Sequence, residues 1–191
     1  MRNQDGAGSP ARDRVVAQLI AAARALFAQR GPGNVSLREI ASAADVNYGL
    51  IHQYVGTKDD LLRLVFRTAS EDFAHHFAEA EDASAAVAFI MRPKSSEYVR
   101  MLAHVLLEGR DPAALVGRSP ALLELGHRIE SELGEESGAD PRVQVAALTG
   151  VALGWGLFGS FVQKIAGLGD IPEDELTKTI YAMLRRAVVD L

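Results

Sequence analysis

The chain has 191 residues, 48% hydrophobic and 24% charged, which suits a soluble protein able to bury a sizeable core. It has no cysteine, which excludes a disulfide scaffold, thiolate catalysis and thiolate metal sites and accords with a reducing, cytoplasmic setting. The net charge of −5 is unevenly divided: residues 1–70 hold nine Arg/Lys against six Asp/Glu, net +3, and residues 71–191 hold eleven against nineteen, net −8. A basic head on an acidic body is the pattern of a DNA-binding module joined to a module of another kind.

Residues 1–9 are small and polar, with no apolar stretch of the kind a secretory leader needs, and read as a disordered arm. From there the whole chain reads as helix. Caps and breakers recur at intervals, and no segment sustains the alternation of a strand. The first helix has Ser9 at its cap and Pro10 at its first position. It carries Val15, Val16, Leu19, Ile20, Ala23, Leu26 and Phe27 on one face, and stops at Gly31. Ser36-Leu37-Arg38-Glu39 is a capping box opening a second helix, with Leu37, Ile40, Ala41 and Ala44 inward. Asp45-Val46 turns the chain, and Asn47 caps a third helix of about eight residues that ends near Gly56. Thr57-Lys58-Asp59-Asp60 is a second box, starting a long fourth helix. Further helices are predicted near 84–91, 96–108, 120–133, 141–166 and 172–190. The organisation is thus a helix-turn-helix domain over 10–56, a linking helix beginning at 57–70, and a helical body over 71–191.

Helix, three- to four-residue turn, short helix is the layout in which the second helix enters the major groove of DNA. It accounts for the composition of VNYGLIHQYV. Val46 and Ile51 can face inward, while Asn47, Tyr48, Leu50 and Gln53 lie where a groove would see them. Glutamine can read adenine, and Tyr48 or Leu50 can pack on a thymine methyl. Gly49 costs helix propensity but lets the backbone approach DNA closely. His52 and Tyr54 offer donors to phosphate. Lys58 stands at a helix N-terminus, where free N–H groups already favour an anion. Taken alone, a Tyr/His/Gln cluster is an ordinary solvated surface; two capping boxes, the turn and Lys58 in register give it meaning.

Residues 12–67 resemble the N-terminal domain of TetR-family transcriptional regulators. The likeness rests on Leu26-Phe27 and Gly31, on Ser36-Leu37-Arg38-Glu39-Ile40-Ala41, on Val46-Asn47-Tyr48-Gly49-Leu50-Ile51, and on Tyr54-Val55-Gly56-Thr57-Lys58-Asp59-Asp60-Leu61-Leu62. It implies an all-α fold, an N-terminal three-helix DNA-binding domain and a C-terminal domain that binds an effector and dimerises. It implies that Ser36, Arg38, Tyr48, Gln53, Tyr54 and Lys58 face DNA. His52 and Val55 depart from the aromatic residues common there. The function implied is a repressor that binds a palindromic operator as a homodimer and is released by a small apolar ligand. The competing class is a small-molecule binding protein or enzyme with a vestigial helix-turn-helix; the basic head and intact Lys58 favour the regulator.

The stretch between Arg142 and Lys164 has no charge and is long enough to cross a membrane, with Gly150 and Gly154 in a membrane dimer spacing. Gln144, Thr149, Ser160, Gln163 and four glycines interrupt it, and no basic cluster flanks it, so it reads as a helix buried on two sides. Small residues Ala147, Gly150, Gly154 and Gly159 would allow close approach of a second copy. Phe158, Phe161, Ile180 and Leu184 join them as the expected interface. For the effector pocket the candidates are Tyr98, Met101, Leu102, His104, Val105, Leu122, His127, Trp155 and Phe158, with Phe89 and Met91. Each of these apolar residues is more often plain core than pocket lining. Asp72, His75, His76 and Glu79 form pairs on different faces of one helix and do not converge on a metal. No set of residues has the local support that catalysis requires, so no cofactor, no metal and no enzyme activity is expected.

Overall fold

The computed structural model describes residues 10–81, 96–117, 119–133 and 140–189. The arm at 1–9 and the helix expected near 84–91, with Phe89 and Met91, lie outside the described residues. The fold is all-α, with no strand among the described residues. The helices are α1 (Pro10–Arg30), α2 (Leu37–Ala43), α3 (Tyr48–Tyr54), α4 (Lys58–Glu79), α5 (Ser96–Leu107), α6 (Pro112–Val116), α7 (Pro120–Leu133), α8 (Pro141–Ile165) and α9 (Glu173–Val189), with a 3-10 turn at Pro32–Asn34. The short α6 is absent from the helices predicted above. Its start is nevertheless written locally: the Asp111 carboxylate accepts from the Ala113 N–H at 2.9 Å, and Pro112 takes the first helical position.

The chain forms two compact units. The first holds the residues up to Thr68 together with Arg100–Val116; the second holds Ala69–Val99 and Gly117 onward. In the first, α1, α2 and α3 contact one another pairwise. Leu19, Ala23 and Phe27 of α1, Ile40 and Ala41 of α2, and Ile51 of α3 are buried, as are Leu61, Leu62, Val65 and Phe66 at the start of α4 and Met101 and Val105 of α5. At about 25 cal/mol per Å² of apolar surface removed from water, side chains of this size contribute roughly 1.5–3 kcal/mol each. They form the base on which the exposed residues of α2 and α3 are held.

The second unit has its own core: Phe73 and Phe77 of α4, Ala121 and Leu125 of α7, Leu148 and Ala152 of α8 and Tyr181 of α9. Tyr98 packs edge-on to Phe73 at 5.1 Å between ring centroids, and burial pushes its phenol up to about 12. Gly159, expected at a helix-helix approach, is buried. Its missing side chain makes room for the Trp155 indole, which a Cβ would meet at 3.1 Å.

Candidate nucleic-acid interface

The helix-turn-helix is built from local bonds. The Ser36 hydroxyl accepts from the Glu39 N–H at 3.2 Å, and the Glu39 carboxylate accepts from the Ser36 N–H at 2.8 Å, so both halves of the box form. Arg30 adds an ion pair to Glu39 at 2.8 Å. Hydrogen bonds from the Ser36 backbone and hydroxyl, with Arg30 beside them, hold the Glu39 carboxyl down at about 2 against its ordinary 4.5. The stabilisation is therefore complete above pH 4.5 and is lost as pH falls toward about 2. Thermal melts should show a steeper loss across that window for the wild type than for Glu39→Gln; identical pH profiles would remove Glu39 from the cap.

α2 ends in a left-handed residue that is not glycine. Asp45 has φ +53°. The Asp45 N–H donates to Ser42 O and the Val46 N–H donates to Ala41 O, closing the last turn. An aspartate tolerates this conformation better than most side chains. The chain then leaves with Val46 half-buried, and the Asn47 side chain accepts from the Gly49 N–H at 2.9 Å to start α3. Thr57 and Asp60 form the second box: the Thr57 N–H donates to the Asp60 carboxylate at 3.0 Å and the Asp60 N–H to the Thr57 hydroxyl at 3.1 Å.

With Ile51 fully buried, the rest of α3 is turned outward. Ser36, Arg38, Asn47, Tyr48, Gly49, His52 and Gln53 are exposed; Leu50 and Tyr54 are half-buried. The aromatic rings are organised rather than loose. The Arg38 guanidinium lies over the Tyr48 ring at 5.5 Å, linking α2 to α3. The Tyr48 hydroxyl is 3.0 Å from His52 Nε2, and the two rings meet edge-on. Arg12 of α1 lies over the Tyr54 ring at 5.8 Å. Arg12 was not singled out from the sequence. Its signal was its place in the first turn of a helix, where the dipole disfavours cations unless an anion is near.

Lys58 is placed differently from its expected post at the DNA backbone. It is half-buried, and its ammonium donates to Pro32 O at 2.9 Å and Val35 O at 3.2 Å. Two of its three N–H donors thus hold the turn between α1 and α2, and its first role in this geometry is internal.

The expected pocket residues belong to both units. Met101, Leu102, His104 and Val105 belong to the first unit, Met101 and Val105 fully buried. Tyr98 and Trp155 pack against the core of the second. Leu122 and His127 line a surface groove between α7 and α8 of about 390 Å³, with Ser119, Leu123, Gly126, Glu130, Arg142 and Val145. Phe158 is 57% exposed on α8. Of the expected interface residues, Ala147, Gly150 and Phe161 are exposed, Gly154 and Ile180 are half-buried, and the Leu184 side chain lies outside the described residues. His75 pairs with Glu79 at 3.3 Å, and His76 Nδ1 lies 2.7 Å from the backbone carbonyl of Asp72, so these groups engage their own helix.

Two short helices joined by four residues, buried within and exposing Ser36, Arg38, Tyr48 and Gln53 without, are a helix-turn-helix DNA-binding module. Residues 19–65 match the family model described as bacterial regulatory proteins, tetR family. The chain is 31% identical over 172 residues to the HTH-type transcriptional repressor Rv3405c of Mycobacterium tuberculosis, covering 88% of this chain and 86% of that one. It is 39% identical over 56 residues to the regulator HbdR of an Aromatoleum species, covering 29% and 24% of the two chains. GusR of Salmonella enterica shares the fold at a TM-score of 0.68 and 18% identity, with 93% and 96% of the two chains covered. A TetR-family regulator from Rhodococcus does so at 0.65 and 19%, covering 93% and 99%. The chain belongs to the TetR family and is a helix-turn-helix transcriptional regulator.

Proposed function

We propose that the protein acts in the cytoplasm as a repressor, binding a two-fold symmetric operator as a homodimer and leaving it when a small, mostly apolar molecule binds the body. The observation that carries the DNA-binding half is the outer face of α2 and α3, where Arg38, Tyr48 and His52 form one connected polar-aromatic surface beside Gln53. A degenerate helix-turn-helix would not need Ile51 fully buried beneath it, both capping boxes closed and the turn locked at Asp45. The relative named a repressor supports the sign of the regulation. For the effector, the groove between α7 and α8 is the candidate. Leu122, Leu123 and Val145 give it apolar walls, and His127, Glu130 and Arg142 give its rim polar groups.

In this reading Ser36, His52 and Tyr54 contact phosphates, and Asn47, Tyr48, Gly49, Leu50 and Gln53 approach base edges. Gln53 stands exposed on the outer face of α3. Gln53→Ala is expected to cost roughly 1–3 kcal/mol on the operator and little on random DNA. Titration of both duplexes checks it, and equal losses would make Gln53 a phosphate contact. Gly49→Ala should separate folding from binding. A Cβ there meets only the Asn47 cap oxygen, at 3.3 Å. Helix propensity rises by about 1 kcal/mol, so the melting temperature holds or increases while operator affinity falls. Unchanged affinity would mean that the backbone of α3 does not approach DNA closely at this position.

A further inference from the structure

The turn Gly31–Val35 joins α1 to α2, and Ser36 comes directly after it. On one side it is held by the Lys58 ammonium. On the other it is held from 75 residues away in sequence: the Gly33 N–H donates to Glu108 Oε1 at 2.8 Å. Glu108 is well aimed. α5 closes with Gly109 at φ +73°, the Gly109 N–H donating to Leu106 O and the Arg110 N–H to Val105 O. Arg110 then bonds the Asp59 carboxylate at 3.0 Å, in the first turn of α4. The segment after α5 is thus fixed at two points, on either side of Gly109.

The two glycines of the turn have different causes. Gly31 has φ +79°, which by itself favours glycine. Gly33 is not in that region. What a side chain at Gly33 would meet is Glu108, with Oε1 at 2.9 Å and Cδ at 3.1 Å from an added Cβ. A Cβ at Gly31 would also meet Glu108 Oε1, at 2.8 Å, and His104 Nδ1 at 3.0 Å. The turn is shaped to admit the Glu108 carboxylate.

We infer that Glu108 is a positioning residue for operator binding: its carboxylate holds the Gly33 N–H, and with it the turn that sets where the N-terminus of α2 meets DNA. This role rests on the proposed operator binding. A carboxylate on a DNA-binding head would otherwise be a liability, since it repels phosphate. Its retention against a main-chain N–H makes sense if the bond matters more than the charge.

The test compares Glu108→Ala, Glu108→Gln and Gly33→Ala on operator and random duplexes. Glutamine keeps an acceptor oxygen without the charge. Glu108→Ala is expected to weaken operator binding about tenfold, the scale of one hydrogen bond to a charged group, with random DNA little changed. Glu108→Gln should stay within about twofold of wild type. Gly33→Ala should match Glu108→Ala, and the double variant should lose about tenfold rather than a hundredfold, because both remove one contact. Without DNA, amide exchange at Gly33 and the NMR shifts of Ser36–Arg38 should move in Glu108→Ala and return in Glu108→Gln. If both Glu108 variants tighten binding to every duplex, Glu108 acts only by charge and the inference fails. It fails equally if Glu108→Ala leaves operator affinity and the Ser36–Arg38 shifts unchanged. A wild type that does not select any operator, while its Gly33 amide is protected, overturns the operator reading and this role with it, leaving a purely structural bond.

Discussion

Gly154→Leu is expected to leave each subunit folded, more helical than before, and monomeric, with operator affinity lowered by roughly 30-fold or more. Among the described residues, apart from its own helix backbone and chain neighbours, nothing lies within 4 Å of a Cβ built at Gly154. A β-carbon therefore fits there, and replacing a mid-helix glycine gains about 1 kcal/mol of helix propensity. The penalty expected for leucine comes from the proposed partner. The case for a partner is a stripe of α8, exposed except for the half-buried Gly154: Val143, Ala147, Gly150, Gly154, Phe158, Phe161 and Ile165, spaced four, three, four, four, three and four residues apart. That spacing keeps one face of a helix in line. Val143, Phe158, Phe161 and Ile165 are 57–68% exposed, an apolar surface that a soluble chain does not leave open to water without use. α8 is also long and apolar enough to cross a membrane, but the proposed repressor, similar to a named repressor over 88% of this chain, would use that face for a second copy. Small residues at Ala147, Gly150 and Gly154 in the middle of the stripe would let two copies approach closely. Overpacking there costs about 1–3 kcal/mol at each of two symmetric positions. Two heads then no longer reach successive major grooves together. Sedimentation alongside operator titration checks this. A Gly154→Leu protein that stays dimeric would move the interface to another face, and Phe161→Glu, which places a charge in the same stripe, would then be equally silent.

The parts of this molecule that were legible in its sequence are those whose partners lie within a few residues. Ser36 with Glu39, Thr57 with Asp60 and Asn47 with Gly49 are each closed by bonds across two or three positions, so residue type and spacing were sufficient. Ile51 inward and Tyr48, His52 and Gln53 outward come from helical period alone. Long-range choices were not legible. Nothing local distinguishes a lysine reaching 26 residues back to a carbonyl from one reaching for phosphate. Nor does anything near Glu108 announce a bond to Gly33. Pocket residues are not separable from core residues in the sequence for a related reason. Met101, Val105, Trp155 and Phe158 repeat at helical spacing whether they end in core, groove or interface, and only the packing of other helices decides which.

The long-range contact of Lys58 has a measurable consequence. Lys58→Met keeps the length and the apolar stem of the side chain and removes the ammonium. Pro32 and Val35 are buried residues, and their carbonyls accept from Lys58 Nζ. Losing a charged donor to such groups costs about 1–3 kcal/mol. The head should therefore melt at a lower temperature. Operator affinity should fall by roughly tenfold or more, because the turn that carries Ser36 is loosened on the side opposite Glu108. Each lysine that neutralises a phosphate contributes nearly one unit to the slope of log affinity against log salt. A lysine held by carbonyls contributes nothing to that slope, so the slope should be the same in the variant and the wild type. Melts and operator titrations at three salt concentrations separate the two roles. A lower slope by about one unit, with an unchanged melting temperature, would return Lys58 to the DNA backbone and show that its ammonium swings out of the turn when DNA binds.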